Sequence, residues 1–239
     1  MAKEENDVNR VMELESRKLS TDEDREKVIE TQKKVEKQND LIAVNIQEQF
    51  KKHNIKSFDL VGAIGSGKTA LLEKICKKLG PKKKILVICG DITTRVDADR
   101  IEKNKVKTIQ INTGRECALN AYHIKKVVEN VELSDYDIIF VENVGNLICP
   151  SEFMLGMNSR IVVVSITEGE WVVEKHPMLF KMSDIAIINK IDLLERLKTD
   201  IDKMIADAKD INPDIDVVLT SAKTGEGVDE LMQLMGLET

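Results

Sequence analysis

Gly62-Ala63-Ile64-Gly65-Ser66-Gly67-Lys68-Thr69 is the stretch whose reading decides the fold. It follows a short apolar run, Phe58-Asp59-Leu60-Val61, and opens a pattern in which Leu71, Leu72, Ile75, Cys76 and Leu79 recur at helical spacing. Strand, glycine-rich loop and helix start form the setting in which G-x-x-x-x-G-K-S/T marks a phosphate-binding loop. Gly62, Gly65 and Gly67, with Ser66, let successive backbone N–H groups turn inward, and the helix N-terminus adds its positive end. Lys68 is expected to reach the β- and γ-phosphates of a nucleotide, and the Thr69 hydroxyl to bind Mg²⁺. The plain alternative, a glycine-rich turn without a ligand, is disfavoured because every fixed position matches in the right context. The loop alone specifies neither the base nor the task.

Composition narrows the rest. The 239 residues suffice for one large domain or a domain with an appendage; 42% are hydrophobic and 33% charged, so a sizeable core lies under a charged surface. A formal net charge of -6 supplies no basic surplus for general nucleic-acid binding. The longest apolar runs, 85–89 and 161–166, are strand-length, so no membrane insertion is expected, and the N-terminus lacks the apolar stretch of a secretory signal. Aromatic residues are 3%, too few for base-stacking platforms. Cys76, Cys89, Cys117 and Cys149 form no C-x-x-C pair, and a chain of this size needs no disulfide to fold. They read as the thiols of a reduced, cytoplasmic protein.

The chain divides into a charged, weakly ordered extension (1–20), an N-terminal helix (21–52) and one nucleotide-binding domain (53–239). Thr21-Asp22-Glu23-Asp24 resembles an N-cap with carboxylates in the first turn, and Val28, Val35, Ile42, Ile46 and Phe50 fall near one helical face. This helix reads as packed on the domain edge, or as an arm that docks a partner protein. Buried strands are predicted at 85–89, 138–142, 161–165, 185–188 and 216–220, with a shorter one at 108–111. Their alternation with helices predicts an α/β fold of the P-loop NTPase kind, a mostly parallel sheet of about seven strands flanked by helices, with the nucleotide at the strand C-terminal ends.

The loops at those ends carry the chemistry. After Gly90, Asp91 and Asp97 are candidates for Mg²⁺, directly or through water, although Asp97 is equally suited to cap the next helix. The strand 138–142 ends in Glu142, and Asn143-Val144-Gly145 follows. This has the form of a Walker-B strand and a γ-phosphate switch, with Glu142 on a Mg²⁺-bound water and the Gly145 N–H on the γ-phosphate. Lys68, Thr69, Asp91, Asp97, Glu142 and Gly145 are thus the candidate catalytic set. No glutamine follows Gly145, where Asn146-Leu147 stands, so slow hydrolysis is expected. Cys117, predicted near a helix start, is either a thiolate ligand or a small buried residue.

Two further loops select the base. Asn189-Lys190-Ile191-Asp192 ends one strand, and Ser221-Ala222-Lys223 ends the last. Asp192 can accept from guanine N1–H and N2–H₂, Asn189 is expected at N7, the Lys190 stem on the ring face and the Ala222 N–H at O6. Adenine would leave these groups unpaired. GTP is therefore the expected nucleotide.

With these loops in place, residues 30–234 resemble the nickel-handling branch of the SIMIBI-class P-loop GTPases, the HypB family of hydrogenase maturation. The most specific stretches are 62–69, Asn112-Thr113-Gly114-Arg115-Glu116-Cys117, and Glu142-Asn143-Val144-Gly145-Asn146-Leu147-Ile148-Cys149-Pro150, with Thr167-Glu168-Gly169 and Glu174-Lys175-His176-Pro177 adding to them. The urease accessory GTPases are similar, but their Cys-Pro-His motif is absent, since Cys149-Pro150 runs on to Ser151. The resemblance implies a GTP-hydrolysing metallochaperone that assists nickel insertion into nickel–iron hydrogenase. It also implies nucleotide-dependent homodimerisation, a HypA-like nickel partner, the hydrogenase large-subunit precursor as target, and Lys175 as a cross-dimer contact. The family's interface metal is held by a Cys-His pair at the position of Cys117-Ala118 and by the cysteine matching Cys149. Alanine at 118 supplies no lone pair, and His123 lies off that helical face. Cys117 and Cys149 from two subunits would still offer four thiolates for Ni²⁺ or Zn²⁺. The competing reading is a GTP-switched protein-binding module with no metal duty; a small-molecule phosphotransferase, for which no acceptor site is visible, is weakest.

Overall fold

The computed structural model describes residues 22–114 and 116–237. The charged extension 1–20 and Thr21 lie outside the described residues. The elements run α1 (Asp22–Lys52), β1 (Lys56–Val61), α2 (Lys68–Leu79), β2 (Ile85–Asp91), α3 (Val96–Glu102), β3 (Lys107–Asn112), α4 (Ala121–Val128), β4 (Ile138–Glu142) and β5 (Ser159–Ser165). There follow α5 (Val172–Lys175), α6 (Pro177–Lys181), β6 (Ile185–Asn189), α7 (Leu194–Leu197), α8 (Ile201–Ile211), β7 (Asp216–Thr220) and α9 (Val228–Leu234).

The seven strands form one sheet in the order β3-β2-β4-β1-β5-β6-β7, with every pairing parallel. Parallel strands need crossovers, and the helices that make them cover both faces, which is why the strand sequences are apolar on both sides. In β2, Ile85, Val87 and Cys89 face a core shared with Leu71, Leu72, Ile75 and Leu79 of α2. Leu86 and Ile88 face the other way, against Ala43, Ile46 and Phe50 of α1 and Ile124 and Val127 of α4. A third cluster joins Val162 and Val164 to Val172, Phe180, Met204 and Ala208. The apolar stripe of α1 is therefore part of the core. Its buried polar side chain Asn39 accepts from Ala121 N at 2.8 Å and donates to Met154 O at 2.9 Å.

Beneath the central strands lies a buried ion pair. Arg160 on β5 donates through Nε (3.0 Å) and Nη2 (2.9 Å) to Asp59 Oδ2 on β1, and both side chains are 2% exposed. Asn143 Nδ2 donates to the other carboxylate oxygen at 3.2 Å, and Arg160 Nη2 also donates to Phe153 O. Breaking such a pair strands a charge in the interior, whereas exchanging both partners for apolar groups of similar size does not. Arg160→Met is expected to lower the unfolding free energy by about 3–5 kcal/mol, and the double variant Asp59→Leu/Arg160→Met to recover most of that loss. Urea denaturation of the three proteins measures the difference.

Candidate functional site

The C-terminal ends of β1, β2, β4 and β6 open on a cleft of about 460 Å³, lined by residues that include Gly65, Gly67, Lys68, Thr69, Asp97, Arg100, Glu142, Gly145 and Lys190. The loop 62–69 wraps one wall. Gly67 has φ 107°, and a Cβ there would fall 2.1 Å from Asn189 Nδ2, so only glycine fits both the backbone and the approach. At Gly62 a Cβ would meet Val163 O at 2.1 Å. Lys68 is buried and donates to Gly62 O (2.9 Å) and Ala63 O (3.1 Å), folded into the loop that its ammonium is expected to leave for phosphate. Burial pulls its pKa below the ordinary lysine value, partly offset by Glu142 and Asp97.

Thr69 marks the candidate Mg²⁺ position. Its Oγ1 lies 2.6 Å from Glu142 Oε1 and 2.9 Å from Asp97 Oδ1. One hydroxyl proton cannot serve two carboxylates. Burial pushes the Glu142 carboxyl up to about 7, so near neutrality its own proton can complete the chain from Glu142 through Thr69 to Asp97. Glu142 Oε2 and Ser66 Oγ are buried without a partner. Two carboxylates, a hydroxyl and an unpartnered carboxylate oxygen are the hard oxygen set that suits Mg²⁺ beside a nucleotide, and the residues present fit that ion.

Asp91 and Asp97, alternatives in the sequence, separate here. Asp91 Oδ1 accepts from Thr93 N (2.9 Å) and Thr94 N (3.1 Å), and its Oδ2 accepts from Thr94 Oγ1 (3.1 Å). It lines the cleft while closing its own turn. Asp97 does not cap α3: Arg95 precedes the helix, and Asp97 sits in the first turn facing Thr69. Arg100 was not singled out by sequence. It lies one turn along α3, pairs with Glu73 at 2.6 Å and Asp97 at 3.6 Å, and joins the lining.

The base-selecting loops meet at Asn189, which is fully buried. Its Nδ2 donates to Ser66 O at 2.8 Å, and its Oδ1 accepts from Ala222 N (3.1 Å) and Thr220 Oγ1 (3.0 Å). Asn189 and the Ala222 N–H, expected at N7 and O6, are thus engaged with each other, and Asn189 ties the phosphate loop to residues 220–222. Ser221 Oγ donates to Asp192 Oδ1 at 2.7 Å, and Lys223 Nζ stands 3.8 Å from Asp192 Oδ2. Lys190 is left-handed (φ 66°, ψ 33°) and lines the cleft.

The cysteines differ from expectation. Cys117 and Cys149 are joined by a disulfide within one chain, while Cys76 and Cys89 are free and buried. The expectation of four free thiols is corrected for Cys117 and Cys149: the loops after β3 and β4 meet within one chain. Cys117 is also not at a helix start, because Asn120 caps α4 three residues later in a capping box with His123. His123 faces Glu116, with Nε2 3.6 Å from Oε2. Ala118 is buried. Among the described residues, no group of three or more His, Cys, Asp or Glu side chains is placed to hold a metal ion.

Parallel sheet, phosphate loop and acidic switch loops together define a P-loop nucleotide-binding protein. Residues 57–219 match the family described as CobW/HypB/UreG, nucleotide-binding domain, and the chain belongs to that family of P-loop GTPases. It is 46% identical over 208 residues to the probable hydrogenase maturation factor HypB of Methanocaldococcus jannaschii, covering 87% of this chain and 94% of that one. It is 38% identical to the Escherichia coli K12 hydrogenase maturation factor HypB, covering 85% and 70%. Among solved structures, HypB from Archaeoglobus fulgidus superposes with a TM-score of 0.78 at 40% identity, over 83% of this chain and 97% of that one. HypB from Helicobacter pylori in complex with nickel also gives 0.78, at 32% identity over 83% and 93%.

The raised Glu142 carboxyl makes a signed prediction. Its folded value, about 7, lies above the ordinary 4.5, so burying the anion destabilises the metal-free protein above pH 4.5, by an amount that grows up to pH 7 and then stays constant. Glu142→Gln should therefore raise the melting temperature of the metal-free protein at pH 8 by the equivalent of about 3 kcal/mol, and much less at pH 5. Thermal unfolding at both pH values in chelator provides the check.

Proposed function

We propose that this chain is a GTP-binding, GTP-hydrolysing metallochaperone that assists nickel insertion into nickel–iron hydrogenase. The observation that carries the reading is that Cys149, partnered with Cys117, lies four residues beyond Gly145, which lines the phosphate end of the cleft. Its relatives' names, hydrogenase maturation factor HypB, supply the process, and the nickel complex of the Helicobacter pylori relative supplies the metal.

On this reading Asp192 accepts from guanine N1–H and N2–H₂, with Ser221 holding its carboxylate in place. Lys68 leaves the Gly62 and Ala63 carbonyls for the β- and γ-phosphates, and the Gly145 N–H donates to the γ-phosphate. Thr69, Asp97 and Glu142 hold Mg²⁺, which when bound neutralises charge building on the phosphates. Hydrolysis is slow because no glutamine follows Gly145 to orient the attacking water. GTP closes a homodimer across this face, with Lys175 reaching the partner's site. A HypA-like protein and the hydrogenase large-subunit precursor are its partners. In a reducing cytoplasm a dithiol reductant exchanges with the Cys117–Cys149 bond and leaves as its own disulfide, freeing two thiolates per chain for Ni²⁺ or Zn²⁺ cargo. The second reading, a GTP-switched binding module without metal duty, is favoured by Ala118, buried where the family's histidine stands.

Two measurements decide. Asp192→Asn should weaken GTP binding about a hundredfold, because two hydrogen bonds to a carboxylate are lost, and leave ATP binding unchanged. Equilibrium dialysis of the reduced, GTP-loaded protein against Ni²⁺ and Zn²⁺ should give binding that disappears in Cys117→Ser and Cys149→Ser and on oxidation of the wild type. Sedimentation should give a dimer with a non-hydrolysable GTP analogue and a monomer with GDP. No metal bound in any nucleotide state leaves the module reading, and a monomer in both states removes the switch.

A further inference from the structure

The turn after β4 carries an asparagine on either side of Val144-Gly145, and each asparagine holds one of the cysteine loops. Asn143 is buried, and its Oδ1 accepts from Leu119 N at 2.9 Å, two residues beyond Cys117. Asn146 Oδ1 accepts from Ile148 N at 2.7 Å and Cys149 N at 3.3 Å, and its Nδ2 lies 3.5 Å from Cys149 Sγ. Its backbone forms an antiparallel bridge with Gly62, the first glycine of the phosphate loop. Next to it, Gly145 packs so closely that a Cβ would stand 2.3 Å from Ile64 Cγ1 and 3.0 Å from Ile64 N. The phosphate loop and the turn are thus in direct contact, and a displacement of Gly62 or Ile64 is passed to Gly145 and Asn146.

We propose that Asn146 is a positioning residue that links the phosphate loop to Cys149, its Oδ1 carrying the 148–149 backbone with the turn whenever the turn moves. The assignment rests on the reading of the cleft as a GTP site. A γ-phosphate that draws in the Gly145 N–H shifts Asn146, and the acceptor bonds to Ile148 and Cys149 make the sulfur follow. Once the disulfide is reduced, the Cys117 loop remains tied to Asn143 through Leu119 N, so the two thiols have different anchors in the same turn.

The test uses the full chain, reduced and metal-free, alkylated with iodoacetamide at fixed pH, each cysteine being followed by peptide mass spectrometry. Buried Cys76 and Cys89 serve as internal unreactive controls. Binding of a fluorescent guanine nucleotide is measured in parallel. In the wild type the Cys149 labelling rate is expected to differ about fivefold between GDP and a non-hydrolysable GTP analogue, the scale of one hydrogen bond gained or lost. Asn146→Ala should reduce that ratio below about twofold while nucleotide affinity and the Cys117 ratio hold, a split that general loosening would not produce. Asn146→Asp keeps the acceptor for both N–H groups and should restore the ratio. Retention of the ratio in Asn146→Ala, or failure of Asn146→Asp to restore it, overturns the role. A wild type that binds guanine nucleotide with an unchanging Cys149 rate overturns the link alone, whereas a wild type that binds none overturns the GTP reading beneath it.

Discussion

One carboxamide holds the two halves of the site in register. Asn189 has a donor and an acceptor on the same planar group, and it uses both without reaching solvent: the donor on Ser66 O, the acceptor on Ala222 N and Thr220 Oγ1. A carboxylate would lose the donor, and an aliphatic side chain would leave three polar groups unpaired in the interior. The approach is close enough to demand glycine at position 67. The phosphate loop and residues 220–222, more than a hundred residues apart in the chain, therefore share a single rigid reference.

The cleft gathers acidic groups around one hydroxyl. Glu142 and Asp97 crowd the Thr69 hydroxyl, and Lys68 is turned back into its own loop. Burial makes the Glu142 anion costly and raises its carboxyl to about 7. A divalent cation bound at these oxygens would relieve that cost, which is the physical content of the Mg²⁺ proposal. Arg100, pinned between Glu73 and Asp97, adds positive charge at the edge without filling the site.

Most of the architecture was legible because its signals are local. The apolar runs at 85–89, 138–142, 161–165, 185–188 and 216–220 coincide with β2 and β4 to β7, since a strand buried on both faces has no polar alternation to disguise it. The order of the motifs along the chain placed them at one end of the sheet. Long-range polar contacts were not legible. Asn39 reads as an ordinary helical residue, yet its partners are at 121 and 154. Asn143 and Asn146 read as members of the switch loop, but their contacts with Leu119 and Cys149 are visible only in the structure. That Asp97 meets Thr69 while Asp91 closes its own turn also needed coordinates. The cysteines were misread for the same reason: no spacing rule brings residues 117 and 149 together, and only the adjacency of β2, β3 and β4 does.

The strand order also constrains how the molecule comes into being. β1 carries the phosphate loop, but its two neighbours are β4 and β5, and β2 is added beyond β4. Until residues 138–165 exist, β1 has no partner on either edge, and the buried Asp59 carboxylate lacks both Asn143 and Arg160. The first motif along the chain thus depends on strands made about 80 to 100 residues later, and such non-local contacts slow folding. During synthesis the emerging segment exposes bare strand edges and an unpaired acid, the condition in which nascent chains depend on being shielded from one another.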